Sequence, residues 1–304
     1  MVSVIILNYN TAKLTMQCIS TFKEFHADMD FEIIVVDNNS TEKTTSEIQS
    51  NHPEINWIQS GYNAGYARGN NLGIKSSFGE YILIVNSDVI FTEEIVSSCL
   101  KKAKDCDLFI AGCQLLNTDS TQQESLYYHF GGFKSILANN FLCVKMFRNW
   151  FENKTGVVKG IKGALLLFPR SVMDTAGYFD ENFFMFGEEV EWQHRAVKLG
   201  TKLIYEPEVS VIHIESGSSD NDNLEAQRGV SHWLLVKKMH GNIYLIAALF
   251  LDVINVLSQY PFYWAYNQEG KHNLNRHALS LLRPFKWVIK ILLLRKGSDV
   301  LVKA

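Results

Sequence analysis

Short apolar runs alternate with amphipathic stretches through the first half of the chain, and this alternation constrains the fold more than any other feature. The run from Val2 to Leu7 is followed by Leu14, Cys18, Phe22 and Phe25, which recur at helical spacing. Alternating strands and helices are typical of a parallel sheet covered by helices. The sequence therefore predicts an α/β fold, with a mostly parallel sheet and helices on both of its faces.

Polar clusters follow two of the predicted strands. The strand from Phe31 to Val36 ends in Asp37-Asn38-Asn39-Ser40, and the strand from Tyr81 to Val85 ends in Asn86-Ser87-Asp88. In open α/β sheets, ligands bind at the carboxyl ends of the strands. Turn and helix-capping chemistry would place the same residue types there. Taken alone, each cluster is compatible with either interpretation.

The second half of the chain is less regular, with a loop-rich stretch to about Thr155 and a polar loop over 216–223. We predict a helix from Glu188 to Leu199 and further strands at Asn56–Gln59, Leu108–Cys113, Ile161–Phe168, Lys202–Tyr205 and Val209–His213. We place a catalytic domain over residues 1–220 and a C-terminal helical region over 221–304.

Charge and cysteine content exclude several classes of protein. The net charge of −3 disfavours a nucleic-acid-binding protein, which needs a basic surface. Five cysteines without a C-x-x-C pair indicate neither a disulfide framework nor a thiolate zinc site. The N-terminus lacks the pattern of a signal peptide, so we expect a cytoplasmic protein.

The C-terminal region is basic. Residues 271–304 contain eight Lys or Arg and one acid, a net charge of +7. Apolar residues there can share one helical face: Phe285, Val288, Ile289, Leu292 and Leu293. The run from Ile243 to Leu257 is too short and too polar to span a bilayer. We expect peripheral attachment to the inner face of the cytoplasmic membrane; a helix packed on the catalytic domain is the alternative.

Seven motifs in order resemble the inverting family 2 glycosyltransferases of GT-A fold, in particular their rhamnosyltransferase-like branch. They cover roughly residues 2 to 240 and read VIILNYN, VVDNNS, NAGYARGNNLGI, NSDV, GALLLFPR, GYFDENFFMFGEEVEW and VIH. The resemblance implies an enzyme that transfers a sugar from a nucleotide-sugar donor, dTDP-rhamnose or a UDP-sugar, to a saccharide or lipid-linked acceptor in bacterial surface polysaccharide synthesis.

The resemblance also implies the residues that bind the nucleotide sugar. Asp37 is assigned to the nucleobase or ribose, because a carboxylate accepts hydrogen bonds from an imide or a hydroxyl. The remaining residues of this expected pocket are Asn8, Asn10, Asn63, Arg68, Asn70, Asn86 and Gly163. Gly65, Gly69 and Gly73 form a bare stripe that would permit close approach of either a strand or a ligand.

Asn86-Ser87-Asp88 occupies the place of the family's D-x-D signature, which holds a divalent cation against the donor's phosphates. Asp88 is the implied metal ligand, and Asn86 would reach the metal through water or contact the sugar. The family places a second ligand at His213, and an imidazole favours Mn²⁺ over Mg²⁺.

The acidic group at Glu188-Glu189-Val190-Glu191 is the expected source of the catalytic base, because inversion requires one carboxylate to remove the acceptor's proton. Glu191 should pair with Arg195 at i+4, which leaves Glu189 as the base and Glu188 as the reserve candidate. Glu189 stands where the family usually has Asp. Acidic residues are also common in the first turn of any helix.

Two other functions remain open on the residues alone. A nucleotidyltransferase also uses a nucleotide, a metal and an α/β sheet, but it would need a phosphate-binding loop after the first strand, and Asn8-Tyr9-Asn10-Thr11 is not one. A catalytically silent module for membrane or complex assembly is favoured if the Glu189 side chain does not serve as a base.

Overall fold

The computed structural model describes residues 1–42, 46, 49–50, 52–127, 159–215, 222–259 and 291–292. The chain divides into two compact units. The first comprises Met1–Tyr127, Val158–Asp180 and Trp192–Gly217, and the second comprises Tyr128–Val157, Glu181–Glu191 and Ser218–Ala304. Glu181–Glu191 groups with Ser218–Ala304 in this division, and the domains expected over 1–220 and 221–304 stay a prediction.

The described residues form seven helices and eleven strands. The helices are α1 (Ala12–Phe25), α2 (Gly65–Lys75), α3 (Val96–Lys102), α4 (Ser171–Ala176), α5 (Glu188–Lys198), α6 (Asp222–His240) and α7 (Asn242–Gln259). The strands are β1 (Val2–Asn8), β2 (Phe31–Asp37), β3 (Asn56–Gln59), β4 (Tyr81–Asn86), β5 (Val89–Phe91), β6 (Phe109–Leu116), β7 (Gln122–Gln123), β8 (Leu126–Tyr127), β9 (Gly160–Ile161), β10 (Leu165–Pro169) and β11 (Lys202–His213).

The main sheet lies in the first unit and has the strand order β3-β2-β1-β4-β10-β6-β11-β5, with β7 paired to β6. Strands β3, β2, β1 and β4 run parallel, so their carboxyl ends meet at one edge. β10 is antiparallel to both β4 and β6. The central strands are continuous buried apolar runs, as expected for a sheet covered on both faces. The predicted α/β class with a mostly parallel sheet is confirmed.

Two predicted strand patterns differ from the structure. The run over 161–168 is not one strand, because β9 ends at Ile161 and β10 begins at Leu165. In contrast, the two strands predicted over 202–213 are the single strand β11. A shift of register between Glu206 and Ser210 absorbs the polar residues that interrupt the apolar pattern.

The glycine stripe of α2 packs against β1. A Cβ on Gly69 would lie 2.3 Å from Leu7 Cδ1, and a Cβ on Gly73 would lie 2.5 Å from Ile5 Cγ2. These two glycines therefore serve helix–strand packing rather than ligand approach. This close contact places α2, which carries Arg68 and Asn70, directly against β1.

The second unit contains α6 and α7, which confirm a helical C-terminal region. Val236 of α6 and Ala248 of α7 are buried against each other with Leu251 beside them. Lys237 Nζ donates hydrogen bonds to the carbonyls of Ile291 and Leu292. Apart from Leu292, the apolar face predicted for the basic tail lies outside the described residues, as do the loop-rich stretch over 128–158 and the polar residues 216–221. None of the described helices combines enough length and apolarity to cross a membrane.

Candidate active site

Asp37 is held at the edge of the sheet by Asn8 and Ser40. Asn8 and Asp37 are register partners at the ends of β1 and β2. Asn8 Nδ2 donates to Asp37 Oδ1 at 2.8 Å, and Ser40 Oγ donates to the same oxygen at 2.5 Å. The Ser40 amide donates to Asp37 Oδ2 at 3.2 Å. Asn8 and Asp37 are both buried, so the Asn8 amide positions the carboxylate from within the protein.

A hydrogen-bonded path leads from Asp37 to the loop after β4. Asn8 Oδ1 accepts hydrogen bonds from Thr15 Oγ1 at 2.8 Å and from Thr11 Oγ1 at 3.2 Å. Thr11 Oγ1 lies 3.0 Å from Ser87 Oγ, in the center of the Asn86-Ser87-Asp88 motif. The two polar clusters of the sequence thus belong to one network.

Asn10 and Asn63 are fixed by neighbouring loops. Asn10 has a left-handed backbone (φ 55°), and its Oδ1 accepts a hydrogen bond from the Thr41 amide at 2.8 Å. Asn63 Oδ1 accepts from Asn38 Nδ2 at 3.1 Å. Asn38 Oδ1 in turn accepts from the Ala64 amide at 2.8 Å. Asn38 is therefore a positioning residue that the sequence analysis did not single out.

The other predicted donor-binding residues lie on or beside α2. Arg68 Nη1 donates to the Tyr62 hydroxyl at 3.2 Å. Asn70 is buried; its Nδ2 donates to the Tyr66 carbonyl at 3.0 Å, while its Oδ1 has no hydrogen-bond partner among the described residues. Tyr66 OH donates to the Gly163 carbonyl at 2.8 Å, which ties α2 to the loop before β10.

Asp88 and His213 meet where β5 pairs with the end of β11. His213 is the register partner of Val89, the residue after Asp88. Asp88 Oδ1 lies 3.4 Å from His213 Nε2, and each side chain is 13% exposed. Asn86 Nδ2 lies 3.3 Å from the same nitrogen. The structure therefore brings together all three residues that were expected near the cation.

Gln123 determines the orientation of the His213 ring. Gln123 Oε1 lies 2.8 Å from His213 Nδ1. The other end of this side chain, Nε2, donates to Asn117 Oδ1 at 3.1 Å and to the His213 carbonyl at 3.4 Å. Because Nε2 faces two acceptors, Oε1 must be the atom that accepts from Nδ1–H. In the neutral imidazole, His213 Nε2 then carries the lone pair, and it lies near both Asn86 Nδ2 and Asp88 Oδ1.

Asp88 and His213 together have the ligand atoms that suit a divalent cation. Within the described part of the chain, no three His, Cys, Asp or Glu side chains converge, and at this point two potential ligands lie together. At a separation of 3.4 Å, one ion can contact both Asp88 Oδ1 and His213 Nε2. A carboxylate oxygen and an imidazole nitrogen suit Mn²⁺, and such ions complete their coordination with water and substrate phosphates.

The predicted base candidates belong to the second unit. Glu188 and Glu189 open α5 and are both buried. Burial, together with the charge of Glu189, raises the pKa of Glu188 well above 4.5. Glu188 Oε2 has no hydrogen-bond partner among the described residues, whereas Glu189 Oε2 accepts from the Gly187 amide at 3.1 Å. Glu188 therefore keeps its proton to higher pH than an exposed glutamate does.

A strained turn precedes these two carboxylates. Phe186 has a left-handed backbone (φ 70°), which is rare for a bulky residue, and Gly187 follows it with φ 87°. Two residues of α6 hold this turn: Ser231 Oγ donates to the Met185 carbonyl at 2.6 Å, and the Arg228 guanidinium lies 5.0 Å from the Phe186 ring centroid.

Neighbouring side chains serve packing. Arg195 donates to the carbonyls of Ala176 and Tyr178, and its expected pairing with Glu191 stays a prediction. Phe179, Phe183 and Trp192 are buried and are core residues.

Comparison with known proteins identifies the family of the chain and its fold. Residues 3–164, just over half of the chain, match the model of glycosyl transferase family 2. A low-salt glycan biosynthesis hexosyltransferase from Haloferax volcanii is 28% identical over 178 residues, which cover 54% of this chain and 53% of that protein. The chain thus matches about half the length of that relative.

A second relative and a solved structure extend the comparison. An N-acetylglucosaminyl-diphospho-decaprenol L-rhamnosyltransferase from Mycobacterium tuberculosis is 25% identical over 213 residues, covering 62% of this chain and 68% of that protein. A mannosyltransferase from Pyrobaculum calidifontis, solved with GDP-Man and Mn²⁺, has a TM-score of 0.57 and 16% identity, and the match covers 94% of this chain and 87% of that one. Its similarity confirms the expected GT-A fold.

Proposed function

The chain belongs to glycosyl transferase family 2, and from that premise we propose that it moves one sugar from a nucleotide-diphosphate donor to a saccharide or lipid-linked acceptor. The product would be a surface polysaccharide or related glycan. The observation that carries the proposal is the path of hydrogen bonds from Asp37 through Asn8 and Thr11 to Ser87, beside the pair of Asp88 and His213. It joins a carboxylate suited to a nucleoside with a ligand pair suited to the cation of a diphosphate.

At the nucleoside end, Asp37 accepts hydrogen bonds from a base imide or a ribose hydroxyl. Among the described residues, its Oδ2 accepts one hydrogen bond of 3.2 Å, from the Ser40 amide, and a carboxylate oxygen can accept two. Asn8 and Ser40 hold the carboxylate in place before the donor binds, which lowers the entropic cost of binding. Asn10, Asn63, Arg68, Asn70 and Gly163 complete the proposed pocket.

At the diphosphate end, Asp88 and His213 would hold the cation, and Asn86 would reach it through water or contact the sugar. When bound, a divalent cation supplies positive charge that stabilises the departing diphosphate. Gln123 keeps the proton on His213 Nδ1, so that Nε2 remains available as a ligand.

Glu189 is the proposed base, with Glu188 in reserve. A base must be ionised to remove the proton of the acceptor hydroxyl. The raised pKa of Glu188 favours its protonated form, which supports assigning the base to its neighbour. Attack by the acceptor hydroxyl on the anomeric carbon, opposite the leaving diphosphate, inverts the configuration in a single displacement.

The donor is proposed to be dTDP-rhamnose or a UDP-sugar. A lipid-linked acceptor is supported by the name of the Mycobacterium tuberculosis relative, which specifies a diphospho-decaprenol. A lipid-linked acceptor would require the enzyme to work at the inner face of the cytoplasmic membrane. The +7 charge of residues 271–304 supports such peripheral attachment.

The test is a thermal-shift screen of dTDP, UDP, GDP and the corresponding nucleoside triphosphates with and without Mn²⁺, followed by hydrolysis assays of the matching nucleotide sugars. We expect one nucleoside diphosphate to stabilise the protein only with Mn²⁺, by about 2.7 kcal/mol at 100 times its Kd. Stabilisation by nucleoside triphosphates alone would instead support a nucleotidyltransferase. Donor binding with neither hydrolysis nor transfer would support a catalytically silent module.

A further inference from the structure

Helix α7 carries a continuous row of large apolar side chains on its solvent-exposed side. Ile243 is 82% exposed, Phe250 is 65% exposed and Leu257 is 62% exposed, and Ile246 and Val253 lie between them at 57% and 46%. Their spacing of three and four residues places all five on one side of the helix. We call these five residues the α7 face.

The opposite side of α7 is the one that packs in the protein. Leu245 and Ala248 are fully buried there. The polarity usual for a surface helix is therefore absent from the described side chains of α7, because its large apolar side chains are directed to solvent.

The width of the apolar surface on α7 favours a lipid layer over a partner helix as the binding partner. A coiled-coil seam is narrow and is commonly flanked by charged residues. The α7 face is flanked in the helical pattern by Ala247 and Ile254 on one side and by Leu249 and Val256 on the other. The apolar arc therefore spans about half of the helix circumference, as in helices that lie in a membrane interface.

Basic residues that are near α7 in the sequence are complementary to an anionic surface. Lys238 lies in the last turn of α6, directly before α7, whereas the ammonium of its neighbour Lys237 donates to the carbonyls of Ile291 and Leu292. The sequence of residues 271–304 carries a net charge of +7. Basic residues beside an apolar helical face favour bilayers that contain anionic lipid.

We propose that the α7 face docks on the surface of an anionic bilayer, with its side chains inserted at the boundary between headgroups and acyl chains. The helix has 18 residues and a length of about 27 Å, and it would lie parallel to the membrane. This inference deepens the proposed function, since it identifies the surface that would bring the enzyme to a lipid-linked acceptor. Docking itself requires neither donor nor metal.

The experiment measures binding of the full chain to vesicles, without nucleotide. One variant combines Ile246→Ser, Phe250→Ser and Leu257→Ser. Its matched control combines Phe78→Ser, Val197→Ser and Leu199→Ser, which remove exposed apolar side chains of the first unit that are 81%, 44% and 52% exposed. Vesicles of phosphatidylglycerol with phosphatidylcholine are compared with vesicles of phosphatidylcholine alone.

We expect the wild type and the control variant to bind the anionic vesicles equally and the α7 variant to bind at least about tenfold more weakly. Binding should be weaker to phosphatidylcholine alone. Equal binding of all three proteins, no binding by the wild type, or equal binding to both vesicle types would overturn the proposal. A wild-type dimer that the α7 variant converts to monomer, without vesicle binding, would assign the face to a second copy instead.

Two further measurements keep the result interpretable. Hydrogen exchange of the wild-type chain should show added protection over residues 242–259 when anionic vesicles are present, and this readout does not depend on the folding of a variant. Nucleoside diphosphate binding by the α7 variant should equal that of the wild type. Absence of vesicle binding with intact nucleotide binding would be a failure of docking alone. Vesicle binding without nucleotide binding would be a failure of the proposed enzymatic function alone.

Discussion

Gln123 accepts a hydrogen bond of 2.8 Å from His213 Nδ1, and this contact turns the other ring nitrogen towards Asp88. The Nε2 lone pair and the Asp88 carboxylate both carry negative charge density. The distance of 3.4 Å between His213 Nε2 and Asp88 Oδ1 is therefore favourable when a cation lies between them. Nε2 can face a cation in this way only while His213 stays in the tautomer that carries its proton on Nδ1. Residues that fix the tautomer of a metal-binding histidine contribute to metal affinity without contacting the metal.

Replacement of Gln123 should therefore weaken metal binding. In Gln123→Leu the acceptor for Nδ1–H is lost, and we expect Mn²⁺ affinity to fall by about 10- to 100-fold. Electron paramagnetic resonance of free Mn²⁺ gives the affinity, and ¹⁵N shifts of the His213 ring give the tautomer. Gln123→Glu keeps an acceptor and should retain the wild-type tautomer. Unchanged affinity in Gln123→Leu would contradict this role.

Removing the charge of Asp37 should weaken nucleotide binding. Asp37→Asn keeps the shape of the side chain but loses charge-assisted hydrogen bonds, so we expect affinity for the preferred nucleoside diphosphate to fall about tenfold. Calorimetric titration measures this change. The control is Asp30→Asn, at a carboxylate whose side chain is 81% exposed. Equal losses in the two variants would remove Asp37 from the nucleotide pocket.

Changing the base should affect turnover rather than donor binding. Glu189→Gln removes the proton acceptor, and we expect turnover to fall by about 10²- to 10⁴-fold while the donor Kd stays nearly constant. Glu191→Gln, in the same helical turn, is the control and should remain active. If Glu188→Gln is inactive and Glu189→Gln is not, the base is Glu188.

Glu188 should make folding stability depend on pH. Its folded-state pKa is raised above 4.5, mainly by burial, so as pH rises the unfolded chain releases this proton before the folded protein does. The free energy of unfolding of the wild type should therefore decrease as pH rises from about 4.5 to the folded-state pKa. Glu188→Gln lacks this penalty and should gain stability relative to the wild type over that range. Urea titrations at several pH values measure the difference; a pH-independent difference would contradict the prediction.

The fold and the positions of Asp37, Asn86 and Asp88 could be predicted from the sequence. Each of these residues follows a buried apolar strand, and parallel strands bring their carboxyl ends to one edge. The pattern of an apolar run followed by polar residues therefore predicted both the sheet and its polar edge.

The contribution of Gln123 could not be predicted in this way. It lies 90 residues before His213, on the two-residue strand β7, and no periodicity connects the two. The glycine stripe shows a second limit of sequence patterns. The spacing of the glycines is compatible with close approach of either a strand or a ligand. The contacts of Gly69 and Gly73 with β1 show that the neighbour is a strand.

Metal-dependent binding of a nucleoside diphosphate tests the central claim most directly. Calorimetric titrations of the preferred nucleoside diphosphate into the wild type, Asp88→Ala and His213→Ala should be run with Mn²⁺ and with excess chelator. We expect Mn²⁺ to strengthen binding to the wild type and to have little effect on either variant, with all three proteins unfolding at similar temperatures. Mn²⁺ strengthening that persists in both variants, or wild-type affinity that is unchanged by chelator, would contradict the assignment of Asp88 and His213 to one cation.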